Sequence, residues 1–202
     1  MPKLFFFIVF LGFIITVLIG LFLWSNYSED MDNIMPAVKV EPPENYKFIE
    51  TEEGKFIENT NVGLKFKIPE EWTAEKKEVQ KDEWVINVMS PDIKFGEDGL
   101  LSEGCGFSVW IERDETTANL VRDRINDPKG YQNEISGIYE SVLLDGKSSL
   151  KMILSRDGWG KIVYINVPIR DKIIKIDTFF TSNTEERCSI EFRDFLDQVK
   201  IN

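Results

Sequence analysis

Two hydrophobic rhythms divide the chain. From Leu4 to Trp24 apolar residues run without a charge, and Thr16 is the only polar side chain among them. At a helical rise of about 1.5 Å per residue this stretch reaches about 30 Å, the thickness of a bilayer's hydrocarbon core. It is longer than the apolar core of a cleaved signal peptide, and no small-x-small cleavage site follows it. The pattern predicts an uncleaved transmembrane signal-anchor over residues 1–24, with Trp24 and Tyr27 at the membrane interface. Lys3 stands before the stretch, and Glu29, Asp30 and Asp32 stand after it. That asymmetry predicts a single-pass protein of the cell membrane, with its N-terminus cytoplasmic and its C-terminal domain extracytoplasmic.

Residues 25–54 read as an extracytoplasmic linker, polar and acidic, stiffened by Pro36, Pro42 and Pro43. From residue 55 the rhythm changes to a period of two. Residues 55–58 predict a first strand. Gly63 to Ile68 alternates, with Leu64, Phe66 and Ile68 on one face and Lys65 and Lys67 on the other. Residues 75–79 predict an edge strand. Residues 83–89 are apolar on both parities, which places them centrally in a sheet. Residues 90–104 show no rhythm and predict a long loop. A strand over 105–112 follows, then a helix from a Thr116 cap to about Asn126, with Ala118, Val121 and Ile125 on its apolar stripe.

Strands over 134–144, 147–155, 160–169 and 173–180 are separated by turn signals at Asp145-Gly146, Asp157-Gly158 and Asp171-Lys172. Short turns between successive strands predict an antiparallel meander. A C-terminal helix over about 184–199 completes the chain. Ser182 and Glu185 have capping-box spacing, and Cys188, Phe192, Phe195, Leu196 and Val199 share one face.

Charge and composition narrow the function. All 35 acidic residues and 23 of the 24 basic ones follow residue 24, leaving that part with a net charge of −12. An acidic surface repels phosphate backbones, so a nucleic-acid partner is not expected. There is no histidine, which removes histidine-based nucleophile pairs, histidine metal sites and the usual neutral-pH base. The two cysteines, Cys105 and Cys188, are too few for structural zinc; outside the cytoplasm an even pair predicts a disulfide.

The string Asn61-Val62-Gly63-Leu64-Lys65-Phe66-Lys67-Ile68-Pro69-Glu70-Glu71-Trp72 resembles the entry motif of PsbP-like domains, in which a Gly-led strand runs into Pro-x-x-Trp. The order of a mid-chain helix, a meander and a C-terminal helix is similar too, and Val199-Lys200-Ile201 stands where that family has a short tail. The resemblance covers residues 55–202. It implies an α+β fold, an α/β/α sandwich around a mainly antiparallel sheet. Plant members assist the oxygen-evolving complex, but the histidines tied to that role have no counterpart here. The chain looks more like the membrane-anchored bacterial members.

Candidate sites are few. Asp92, Glu97, Asp98 and Glu103 supply hard oxygen ligands at short spacing, a weak calcium pattern without EF-hand order. Trp110 and Trp159 are candidate partner contacts. Glu112, Asp114 and Glu115 cluster before a helix, where acids favour the helix dipole more than they favour catalysis. The sequence therefore predicts a membrane-anchored, non-enzymatic binding or accessory domain with an envelope or membrane protein as partner and no cofactor. The alternatives are a carboxylate-dependent envelope hydrolase and a calcium or ligand sensor working through loop 92–104.

Overall fold

The computed structural model describes residues 39–80, 83–96, 101–129, 137–156, 160–181 and 183–202. The stretch 4–24 lies outside them. Among the described residues no helix is long and apolar enough to cross a membrane.

The described residues form a mainly antiparallel α+β structure with two α-helices among them, α1 (Glu115–Asn126) and α2 (Glu185–Asp197). The meander expected from the turn signals is present. β10 (Gly137–Leu144), β11 (Lys147–Arg156), β12 (Gly160–Ile169) and β13 (Lys172–Phe180) pair in succession. The sheet continues through β9 (Gly106–Arg113) and β6 (Glu83–Met89) to β5 (Thr73–Gln80). A short β1 (Lys39–Val40) also pairs with β9, making eight strands. β6 is one strand from the end of this order, not at its centre. Its partner β5 is the charged edge expected from the sequence, and β6 leaves Trp84 and Val85 half-buried beside it.

The two faces of this sheet carry separate cores, because neighbouring residues of a strand point opposite ways. On one face Ala118 and Val121 of α1 pack with Tyr139, Leu150 and Ile173. On the other, Cys188, Phe192 and Phe195 of α2 pack over Phe107, Val109 and Ile174. The second face is shared with a four-stranded sheet of order β14-β4-β3-β2. It contains β2 (Tyr46–Thr51), β3 (Gly54–Asn59), β4 (Leu64–Lys67) and β14 (Lys200–Ile201). Leu64 and Phe66 face its core as the alternation predicts. Pro69 ends the strand, and Trp72 turns inward to stack on Phe107 with ring centroids 4.9 Å apart.

Three further expectations change. The linker was expected to run to residue 54, but Tyr46–Thr51 is a strand registered against β3. Tyr46 is buried, and Pro43 opens a single 3-10 turn instead of stiffening a tether. The loop 90–104 contains a small ribbon, with β7 (Lys94–Phe95) paired to β8 (Leu101–Glu103). The cap of α1 is Asp114, not Thr116: its carboxylate accepts from the Thr116 N–H at 3.0 Å and from the Thr117 hydroxyl at 2.5 Å. The first bond satisfies one of the N–H groups that a helix start leaves without an intrahelical partner, and the second holds the carboxylate in place. The proposed capping-box serine, Ser182, and the turn at Asp157-Gly158 lie outside the described residues.

Candidate functional site

Helix α2 does not cover the whole of its sheet face. Its aromatic stripe lies over β9, with Phe192 and Phe195 at 5.2 and 4.9 Å from the Phe107 ring. Toward β10 the face opens into a cleft of about 440 Å³. Ile153, Val163 and Ile165 form its floor, and Phe192 and Leu196 form the helix wall. Val142 and Leu144 close the far side. These are the inward positions of three registered strands, so the floor is apolar by the same alternation that builds the core. The rim is polar and already paired: Lys161 binds Glu185, and Lys151 meets Glu140 at 2.9 Å.

The helix wall is fixed by covalent and ionic ties at its first turns. Cys188 is disulfide-bonded to Cys105, with Cα atoms 5.4 Å apart, as expected from the cysteine count. One residue earlier, Arg187 grips Asp92 through two bonds of 2.5 and 3.1 Å. The guanidinium holds the Asp92 carboxyl well below its usual range. The cleft therefore has a rigid wall, which suits a preformed binding surface.

Two other groups of buried polar side chains stand apart from the cleft. Glu41 is fully buried. Its carboxylate accepts from Arg113 Nε at 2.9 Å and Nη2 at 2.6 Å, from Lys172 at 2.7 Å, and from Asn45 and Asn61. Burial pushes its pKa upward, but these donors together outweigh burial and lower it from 4.5 to about 2. Tyr46 is pushed up by its own burial and by the Glu41 charge. This cluster ties the start of the domain to β9 and β13; Arg113, Lys172, Asn45 and Asn61 converge on the protein's own carboxylate, which makes it a structural knot.

On the α1 face of the sheet lies Asp177, in register with Ser108 and Tyr164 on the flanking strands. Burial raises its carboxyl to about 7, and the Ser108 hydroxyl only partly opposes this. Among the described residues its Oδ1 has no hydrogen-bond partner. Further along the same face Lys175 pairs with Glu112 and lies 5.9 Å over the Trp110 ring. Glu112 and Asp177 stand four residues apart in register, about 13 Å at the rise of a strand.

The residues singled out in the sequence are scattered. Trp110 is half-buried beneath Lys175. Asp92 is held by Arg187, and Glu103 is paired with Lys94 at 2.5 Å. Glu97, Asp98 and Trp159 lie outside the described residues. Among the described residues no group of three or more acids or cysteines is placed to hold a metal ion. Of the acid cluster, Asp114 caps α1 and Glu112 serves Lys175. The cleft itself was missed, since its apolar lining residues read as ordinary core and its polar ones as ordinary surface. The available signal was the length of the α2 stripe, which is too narrow to cover four strands.

No protein-family model matches the chain, and no curated protein matches it.

Proposed function

We propose that this chain is a non-enzymatic binding or accessory domain, tethered by residues 4–24 in the cell membrane and standing outside the cytoplasm. Its partner is an envelope or membrane protein that fills the cleft between α2 and strands β10–β12. The observation that carries this reading is the cleft itself, apolar on its floor, ionic at its rim and walled by a helix pinned through Cys105–Cys188. The disulfide supports an oxidising compartment. The helices on opposite faces support the PsbP-like reading and its α/β/α sandwich, to which this chain adds the small sheet beside α2. A glycoside hydrolase, one form of the carboxylate-dependent alternative, places two acids about 5–9.5 Å apart across a cleft. Asp177 has the tuned carboxyl, but Glu112 is too distant to serve as its second acid.

The test is a photo-crosslinking residue placed in the full-length protein in intact cells, at Ser189 in the cleft or at Leu120 on the exposed side of α1. A discrete protein adduct is expected from position 189 only, and it is lost when Val163→Arg fills the floor. Equal adducts from both positions, or none from position 189, would refute the cleft as the binding surface.

A further inference from the structure

The two outer strands of the large sheet differ in how they meet solvent. β5 carries Glu75, Lys76, Lys77 and Glu78 in succession, and its register slips between Glu78 and Gln80. Charge and irregularity are the usual devices by which an edge strand refuses a further partner. β10, at the opposite end, has neither device. It pairs with β11 over eight residues without a slip. Its sequence, Gly-Ile-Tyr-Glu-Ser-Val-Leu-Leu, has no proline and one charge, and that charge, Glu140, is neutralised by Lys151. Leu143 is 74% exposed and Ile138 is 53% exposed.

The turn after β10 identifies which of its backbone groups face away from β11, where no described strand pairs with them. Asp145 and Gly146 have φ of 47° and 75°, a two-residue turn of the type that matches strand twist. Such a turn closes the ladder on Leu144 and Lys147 as a hydrogen-bonded pair. The antiparallel alternation then turns the N–H and C=O of Tyr139, Ser141 and Leu143 away from β11. A row of alternating donors and acceptors at that spacing is matched by another extended polypeptide backbone. The same strand forms the far side of the cleft through Val142 and Leu144.

We propose that β10 is a strand-addition site. A partner's extended segment pairs with its outer edge and lays every second, apolar side chain against Val142 and Leu144, extending the cleft's apolar wall. This rests on the binding reading above and names the partner's chemistry: a proline-free, alternating apolar segment that is neutral or basic. Charge excludes a second copy as the favoured occupant, because each chain carries a net charge of −11.

The experiment follows backbone amide exchange in the isotope-labelled full-length protein in detergent. The probe is the synthetic peptide Lys-Thr-Val-Thr-Val-Thr-Val-Lys. At saturation it is expected to slow exchange of the Tyr139, Ser141 and Leu143 amides at least tenfold and to leave β5 unchanged. Ser141→Pro removes an outward N–H and no ladder bond, so it should abolish the effect. Leu143→Lys, at an exposed position, should weaken it at least fivefold, whereas Val79→Lys on β5 should not. Unchanged exchange at β10 with peptide present overturns the proposal, as does slowing that needs no peptide and grows with protein concentration. An adduct from position 189 combined with unprotected β10 amides refutes strand addition and leaves the cleft reading standing. Protected β10 amides without that adduct do the reverse.

Discussion

Replacing Glu41 by glutamine tests whether a buried charge, and not apolar packing, holds the start of the domain in place. In the folded chain its carboxyl titrates at about 2, against an ordinary 4.5. The folded state therefore binds the proton more weakly than the unfolded chain does. The stabilisation is present above pH 4.5 and is lost as the pH falls from 4.5 to about 2. At 1.36 kcal/mol per pH unit the difference amounts to about 3 kcal/mol, and solvent around the 41%-exposed Arg113 side chain reduces it to about 2 kcal/mol. Glutamine keeps the shape and one acceptor oxygen but removes the charge that Arg113 and Lys172 both need. Urea denaturation followed by tryptophan fluorescence, at pH 7 and at pH 3, reads the effect. Wild type should exceed Glu41→Gln by about 2 kcal/mol at pH 7, and the gap should narrow by more than half at pH 3. Asp92, Asp114 and Asp145 also have lowered pKa values, so wild type alone would lose stability in acid; the difference between the two proteins isolates Glu41. Equal stability at pH 7 would refute the argument, and so would a gap that stays constant down to pH 3.

Asp177 should behave in the opposite sense. Its carboxyl is raised from 3.8 to about 7, so stability is lost as the pH rises through that window, and Asp177→Asn should be more stable than wild type by about 2–4 kcal/mol at pH 8 and equal to it at pH 3.5. Matching urea midpoints at pH 8 would contradict this. Removing the disulfide by Cys105→Ala with Cys188→Ala releases a tie across 83 residues, which the chain-entropy model values at about 4–5 kcal/mol. The denaturation midpoint should fall accordingly, and protein isolated from cells with its thiols blocked should migrate differently on reducing and non-reducing gels. Identical migration would show that the cysteines are not joined in the cell.

The parts of the fold that were legible share one property: their signal is local. The meander follows from strict alternation and a turn such as Asp145-Gly146, and α2 follows from a stripe recurring every three or four residues. Gly63 belongs here too. It has φ of +69°, and a Cβ there would lie 2.4 Å from the Asn202 carbonyl oxygen, so the glycine that leads the Pro-x-x-Trp motif is required by the close passage of the chain end. The segment before residue 54 was illegible for the opposite reason. What fixes it is Glu41, whose partners Arg113 and Lys172 lie 72 and 131 residues away. A charge beside two prolines has no local rhythm that separates a buried anchor from a solvated linker.

The cleft poses a harder version of the same problem, and β5 and β10 show why. Edge position is a property of topology, and a strand's sequence reports it only through the residues that defend an edge. Thr73–Gln80, with four charges in a row, declares itself, and the reading of that segment as an edge strand agrees with the sheet order. Gly137–Leu144 has the composition of an interior strand yet ends the sheet. Leaving Ile138 and Leu143 53% and 74% exposed gives up a large part of the roughly 1.5–3 kcal/mol that full burial of each side chain is worth. The mismatch is not spread over the surface: the undefended strand is the one that borders the apolar cleft, whose other wall is pinned by the disulfide. A strand written for burial, at the one edge beside a preformed apolar cleft, is the physical reason to expect that edge to be covered when the protein works.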